Sequence, residues 1–123
     1  MIRSIHVHGS AESDLLDIWQ YSFEQWGEAQ ADKYLDELDS GIRKLAINPE
    51  SGMRRDFVRD GYRVLFVGSH AVYYTVTPDT VHIIRVLHGR MDPDSVHSAL
   101  LEPHFAAIIP GRVFYRARAS AAG

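Results

Sequence analysis

Apolar residues recur at a helical spacing through the first half of the chain. One stripe lies between residues 15 and 26 and comprises Leu15, Ile18, Trp19, Ser22 as a polar gap, Phe23 and Trp26. A second lies between residues 28 and 47 and comprises Ala31, Tyr34, Leu35, Leu38, Ile42, Leu45 and Ala46. Such positions share one face of an α-helix. Gly27 and Asn48-Pro49 are helix-ending signals, so the pattern predicts an antiparallel helix hairpin.

The period changes to two after the polar segment 50–61, which we interpret as a loop. Three stretches rich in β-branched and aromatic residues follow: Tyr62–Val67, Ala71–Thr77 and Thr80–Leu87. The turns between them, Gly68-Ser69 and Pro78-Asp79, are short enough for hairpins. Residues 2–8 also alternate, as expected of a short strand. The sequence therefore predicts an α+β fold with an N-terminal strand, an antiparallel helix hairpin and a three-stranded antiparallel meander.

Composition excludes several classes of protein. The 123 residues include no cysteine, which excludes disulfides, thiolate nucleophiles and cysteine-based zinc sites. The longest apolar runs are far shorter than the ~20 residues of a membrane span. The first nine residues lack the apolar segment of a signal peptide. We expect a cytoplasmic protein that does not associate with a membrane.

The net charge of −3 conceals a separation of the two signs along the chain. Residues 1–52 hold ten acidic and four basic side chains, whereas residues 53–90 hold three acids and six arginines, without lysine. Arginine favours planar, bidentate contacts with carboxylates and phosphates. The basic half therefore predicts either an anion-seeking surface or arginines scattered in solvent.

The basic half contains the strongest candidates for chemistry. Arg63 and Arg85 can project from one face of a meander and hold a phosphate, and His88 can exchange a proton, as in a ribonuclease site. The alternative is that both arginines pair with carboxylates and that His88 caps a strand end. The aromatic residues Trp19, Trp26 and Tyr34 are either partner anchors or core.

The chain contains no P-loop, no dinucleotide-binding glycine fingerprint, no H-E-x-x-H and no G-x-S-x-G motif. His6 and His8 share a strand face, and His82 and His88 lie in or next to another strand, but their spacing matches no strong metal-ligand pattern. We therefore expect neither a metal site nor a cofactor.

Several segments together resemble the ParE branch of the ParE/RelE toxin superfamily, the toxin half of bacterial type II toxin–antitoxin pairs. They are AESDLLDIW at 11–19, WGEAQADKYLDEL at 26–38, LAINP at 45–49, SHAVYY at 69–74 and RVLHGRMD at 85–92. The resemblance extends over residues 3–97. Members of this branch usually end soon after the RMD segment. The resemblance therefore implies a toxin domain at residues 1–97 and a C-terminal extension at 98–123.

The resemblance implies a toxin that inhibits DNA gyrase without catalytic residues and is neutralised by a ParD-like antitoxin in a hetero-oligomer. It also implies no sequence-specific nucleic-acid binding by the toxin alone. The antitoxin would place a helix in a groove of the helix hairpin and sheet, and an extended part along the sheet. We expect its contacts at Leu15, Ile18, Trp19, Arg54, Arg63, Arg85 and Arg90.

Two alternatives remain open at this point. One is a RelE-like, ribosome-dependent mRNA endoribonuclease that uses Arg63, Arg85 and His88. The other is an inactive toxin relic that only binds its antitoxin.

Overall fold

A computed structural model of the chain describes residues 2–101, which form five strands and three helices. In chain order these are β1 (Ser4–Val7), α1 (Gly9–Trp26), α2 (Glu28–Lys44), β2 (Met53–Arg54), β3 (Arg63–Val67), β4 (His70–Val76), β5 (Thr80–His88) and α3 (Pro93–Leu101). The predicted helix hairpin is confirmed, with Gly27 at a φ of +88° between its helices. A glycine suits this conformation because a Cβ disfavours positive φ.

The strands form one mixed sheet in the order β1-β5-β4-β3-β2. The predicted meander β3-β4-β5 is antiparallel, and β1 pairs in parallel with β5 after the chain crosses over through the helix hairpin. The two-residue β2, inside the segment expected to be a loop, pairs with the start of β3. The predicted α+β fold is confirmed, with this additional edge strand.

The helix hairpin covers one face of the sheet and forms the main core. The α2 stripe is buried as its spacing predicts: Leu35, Leu38 and Ile42 are at most 1% exposed. Tyr74 of β4 lies beneath them, and its buried hydroxyl donates to the carbonyl of Pro49 at 2.8 Å and accepts from the N–H of Gly52 at 2.9 Å. Because both polar contacts are satisfied, burial of this hydroxyl is not penalised.

The opposite face of the sheet is covered by α3. Val96, Ala99 and Leu100 pack there on Val64, Tyr73 and Leu87. The expected domain boundary after residue 97 falls inside α3. The apolar residues of α3 that follow this boundary belong to the second core, on the face of the sheet opposite the helix hairpin. Residues 102–123, most of the expected C-terminal extension, lie outside the described residues.

Candidate partner-binding groove

An open groove of 870 Å³ separates the end of α1 from the edge of the sheet where β4 begins and β5 ends. The predicted stripe of α1 leads into it, but its later residues are not covered: Phe23 is 45% exposed and Trp26 is 64% exposed. The lining residues are Asp17, Ile18, Tyr21, Ser22, Trp26, Gln30, Tyr34, Ser69, His70 and His88. The groove combines an aromatic wall with a polar floor.

The floor of the groove is a hydrogen-bonded group on α2 and β4. The hydroxyl of Tyr34 lies 2.6 Å from Nδ1 of His70 and accepts from the N–H of Ser69 at 3.1 Å. Burial lowers the pKa of His70, and the neighbouring His88 lowers it further. The lowered pKa favours the uncharged imidazole, and the short hydrogen bond between this ring and the Tyr34 hydroxyl ties α2 to the start of β4.

The α1 residues expected to bind a partner occupy three different environments. Ile18 lines the groove, as a contact residue must. Trp19 is partly buried against the main core, stacks on Phe23 and donates its indole N–H to Asp32 at 2.9 Å. Leu15 is only 1% exposed, so the expectation that it contacts a partner is wrong because it belongs to the core.

Arg85 is also buried, which corrects both roles expected for it. Its guanidinium forms a bidentate ion pair with Asp14 of α1, with N–O distances of 2.7 and 2.8 Å, and a third nitrogen donates to the carbonyl of Ala99. Asp14 also accepts the N–H of Val86. Since Arg85 is 6% exposed and all three of its guanidinium nitrogens donate hydrogen bonds, it is unavailable to a partner or a phosphate.

A β-bulge explains why Arg85 lies on the other face from Arg63. The register of β4 with β5 shifts between Tyr73 and Tyr74, which inserts Ile84 as an extra residue. Without it, Arg85 would continue the alternation of Val81 and Ile83 and face the helix hairpin. With it, Arg85 pairs with Tyr73 and faces α3.

The three residues of the alternative nuclease site do not come together. Arg63 shares the hairpin face with His88, but the two lie at opposite ends of the sheet. His88 is level with Val67 at the end of β3, whereas Arg63 begins β3, roughly 13 Å away along the strand. There it donates to the carbonyl of Gly52 at 2.8 Å. Arg54 lies beside it on β2, paired with Asp56. Exposed Arg90 follows His88 closely, and its N–H donates to Nδ1 of that histidine.

Three histidines gather on the face opposite the helix hairpin. His6, His8 and His82 have ring centroids 4.6–5.8 Å apart, and His8 Nε2 lies 3.2 Å from His82 Nδ1. Burial and the neighbouring histidines lower the pKa of His8 and of His82. Within residues 2–101 no group of three or more His, Asp or Glu side chains is placed to hold a metal ion.

Sequence reasoning omitted most of the groove from the expected contact set. Tyr21, Ser69 and His70 were not singled out, and they come together only through folding. The available signal was the α1 stripe, which continues to Trp26 beyond the length that the sheet covers. Among the described residues no helix is long and apolar enough to cross a membrane.

Comparison with known proteins identifies relatives along most of the chain. The family model described as "ParE toxin of type II toxin-antitoxin system, parDE" matches residues 5–93. Toxin ParE1 of Mycobacterium tuberculosis is 44% identical over 86 residues, 69% of this chain and 88% of that protein. Toxin ParE1 of Caulobacter vibrioides is 45% identical over 82 residues, 67% of this chain and 84% of that protein.

Solved structures show the same fold at low sequence identity. The chromosomal ParDE toxin–antitoxin system from P. aeruginosa contains a chain that superposes with a TM-score of 0.64 at 19% identity, covering 71% of this chain and 96% of that one. A chain of the RelBE2 complex from Mycobacterium tuberculosis superposes with a TM-score of 0.50 at 18% identity, covering 72% and 99%. The family match and the relatives' identity together establish that this chain belongs to the ParE toxin family of type II toxin–antitoxin systems.

Proposed function

We propose that this toxin is neutralised by a ParD-like antitoxin that inserts an amphipathic helix into the groove, and that the free toxin inhibits DNA gyrase without catalysis. The observation that carries the first part is the uncovered aromatic wall of the groove. Large exposed apolar residues beside a concave surface are typical of a partner site. Stable interfaces use about 20–30 residues a side, so a groove lined by ten residues is one part of a wrapping contact.

The groove also indicates the chemistry of its occupant. Tyr21 and Trp26 accept aliphatic side chains from one face of a helix, with ring centroids 6.1 Å apart in an edge-to-face arrangement. Arg90 lies close to His88 and is exposed, so an acidic residue of the antitoxin can pair with it. Arg54 and Arg63, at the far end of β3, remain proposed contacts for the extended part of the antitoxin.

The groove is tested by co-purification with the antitoxin encoded beside this gene. Ile18→Lys and Tyr21→Ser should each abolish or greatly weaken co-elution in moderate salt, because one introduces a charge and the other removes an anchor ring. Ile47→Lys is the matched control, since Ile47 is 71% exposed outside the groove. Circular dichroism must show that all variants are folded. Equal retention of the antitoxin by all three would disprove the groove assignment.

The absence of catalysis is supported by the dispersal of Arg63, Arg85 and His88. The RelE-like alternative needs these three side chains together, whereas Arg85 is held in a buried ion pair with Asp14. Loss of a general acid–base residue typically costs about 10²–10⁴-fold in rate. Binding energy is instead shared over several contacts, so one substitution weakens a gyrase inhibitor only partly.

DNA breaks and transcript ends are measured in the same induced culture, for the wild type and for His88→Ala. We expect growth inhibition and double-strand breaks with intact mRNA in both. Transcript cleavage that vanishes in the variant, with no DNA breaks in the wild type, would establish the endoribonuclease instead. Antitoxin binding without either kind of damage would identify an inactive relic.

A further inference from the structure

The segment Arg55–Tyr62, between β2 and β3, is an ordered loop that the groove does not use. The N–H of Arg55 donates to the carbonyl of Tyr62 at 2.8 Å and closes it. Asp56 accepts from the N–H of Gly61 at 2.9 Å, and that glycine has a φ of +82°. Buried Val58 anchors the loop beneath α3, where its carbonyl lies 2.8 Å from Nδ1 of His97. These contacts close the loop and attach it to α3.

This Arg55–Tyr62 loop presents an aromatic ring to solvent. Phe57 is 72% exposed. The guanidinium of Arg55 lies 5.5 Å from the Phe57 ring centroid, and that of Arg59 lies 5.9 Å from the Tyr62 ring centroid. Each arginine is thus positioned beside an aromatic ring, in the range of a cation–π contact.

The loop and its flanks are positively charged in a chain that is negative overall. Residues 53–63 hold four arginines and two aspartates. Asp56 pairs with Arg54, and its pKa is lowered by the hydrogen bond from Gly61 and then by Arg54. No carboxylate in the described part of the chain forms an ion pair with Arg55 or Arg59. Arg59 is exposed, and half-buried Arg55 uses one nitrogen to donate to the carbonyl of Arg54 at 3.3 Å, so both guanidiniums keep N–H groups that can donate to an anion.

We propose that the Arg55–Tyr62 loop binds single-stranded nucleic acid without sequence preference, with a base stacked on Phe57 and phosphates paired with Arg55 and Arg59. Proteins that bind single strands combine cationic side chains along the backbone with aromatic rings on which bases stack. Arginine suits this role because its planar fork matches a phosphate and its face stacks on rings. Val58 and Tyr62 pack in the α3-side core, whereas the groove lies at the other end of β3 on the hairpin face. A helix in the groove therefore leaves the loop accessible.

Binding is measured with the full chain by fluorescence anisotropy, using labelled oligothymidylate and oligouridylate of about 16 nucleotides. We expect both strands to bind, and affinity to fall as salt rises because counterions are released from the phosphates. Phe57→Ala should weaken binding about fivefold or more, as expected for one lost stacked base. Arg55→Ala and Arg59→Ala should each weaken binding and reduce the salt dependence by about one unit of slope.

Matched variants separate the loop from general surface effects. Phe66→Ala removes another exposed phenylalanine, on β3, and Arg43→Ala removes an exposed arginine on α2; both should leave affinity unchanged. Phe57→Leu should lose as much affinity as Phe57→Ala, and it provides a second test if the alanine variant fails to fold. Preference between the two oligonucleotides would show whether DNA or RNA is favoured.

Several results would overturn the proposal. The first is that neither oligonucleotide binds in low salt. The second is an equal loss of affinity in Phe57→Ala and Phe66→Ala. The third is equally effective competition by duplex DNA, which offers no free base to stack. Displacement by polyglutamate at the same charge concentration would instead assign the loop to an acidic protein surface. Each of these results is independent of whether the antitoxin occupies the groove.

Discussion

At the scale of single residues, the environment of a charge decides its role. Arg43 and Arg85 each pair with an aspartate, but Arg43 is an exposed residue that pairs with Asp39 on one face of α2. Arg85 joins three elements, because Asp14 lies on α1 and the carbonyl of Ala99 on α3. Its charge therefore fixes how these elements are arranged around β5.

Removing Asp14 should be far more damaging than removing Asp39. Asp14→Ala leaves a buried guanidinium without its counter-ion, which typically costs about 3–5 kcal/mol of unfolding free energy. Asp39→Ala breaks a solvent-exposed i,i+4 pair and should cost less than about 1 kcal/mol. Urea denaturation of both variants measures the difference. Similar losses in the two variants would mean that the Arg85 pair does not hold the elements together.

At the scale of elements, the short edge strand β1 lies beside a cluster of three histidines. It is four residues long and, within residues 2–101, pairs with β5 alone. His6 on this strand and His8 directly after it both lie against His82. His8 also directly precedes α1, whose N-terminal end carries positive partial charge. Burial and then His6 lower the pKa of His82, and the neighbouring carboxylate of Asp79 opposes only part of this shift.

The free energy of unfolding should fall as the solution is acidified. His8, His82 and His70 all have a folded-state pKa below the ordinary value of about 6.5, so below that pH the unfolded chain binds more protons. The stability they contribute is present at higher pH and is lost as pH falls from about 6.5 through the folded pKa values.

Thermal melts of the wild type and His8→Gln across this pH range test the cluster. The variant should show a shallower dependence, with the remainder contributed by His70. An unchanged slope would exclude the cluster as the source.

At the scale of the whole molecule, the two faces of the sheet support separate surfaces. The helix hairpin forms one wall of the groove, and α3 supports the Arg55–Tyr62 loop from the other face. The carbonyl of Ala99 on α3 also accepts a hydrogen bond from Arg85, so this helix is joined to β5 as well as packed on the sheet. The boundary implied by the family resemblance, after residue 97, therefore lies within α3.

Two truncations test where the domain ends. A chain ending at Leu101 should unfold cooperatively and retain the second core. A chain ending at His97 loses Ala99 and Leu100, both 8% exposed, and also the carbonyl that accepts from Arg85. It should be less stable by about 2–5 kcal/mol, as for removal of a large buried side chain. Equal denaturation midpoints for the two chains would place the boundary before residue 98.

The sequence alone determined the elements and the family. Periods of 3.6 and 2 are local properties of the chain, so the helix hairpin and meander follow from the spacing of residues such as Leu35, Leu38 and Ile42. Segments such as WGEAQADKYLDEL and RVLHGRMD likewise carried the family resemblance without any coordinates.

Only the tertiary structure decided which candidate residues are accessible. The bulge at Ile84 turns Arg85 towards α3, and the position of α1 buries Leu15 while leaving Tyr21 in the groove. A one-residue shift in register reverses the face of every following side chain, and a helix pattern does not show how far its neighbour covers it. Both depend on contacts between residues distant in sequence, such as Asp14 with Arg85, and local pattern does not contain that information.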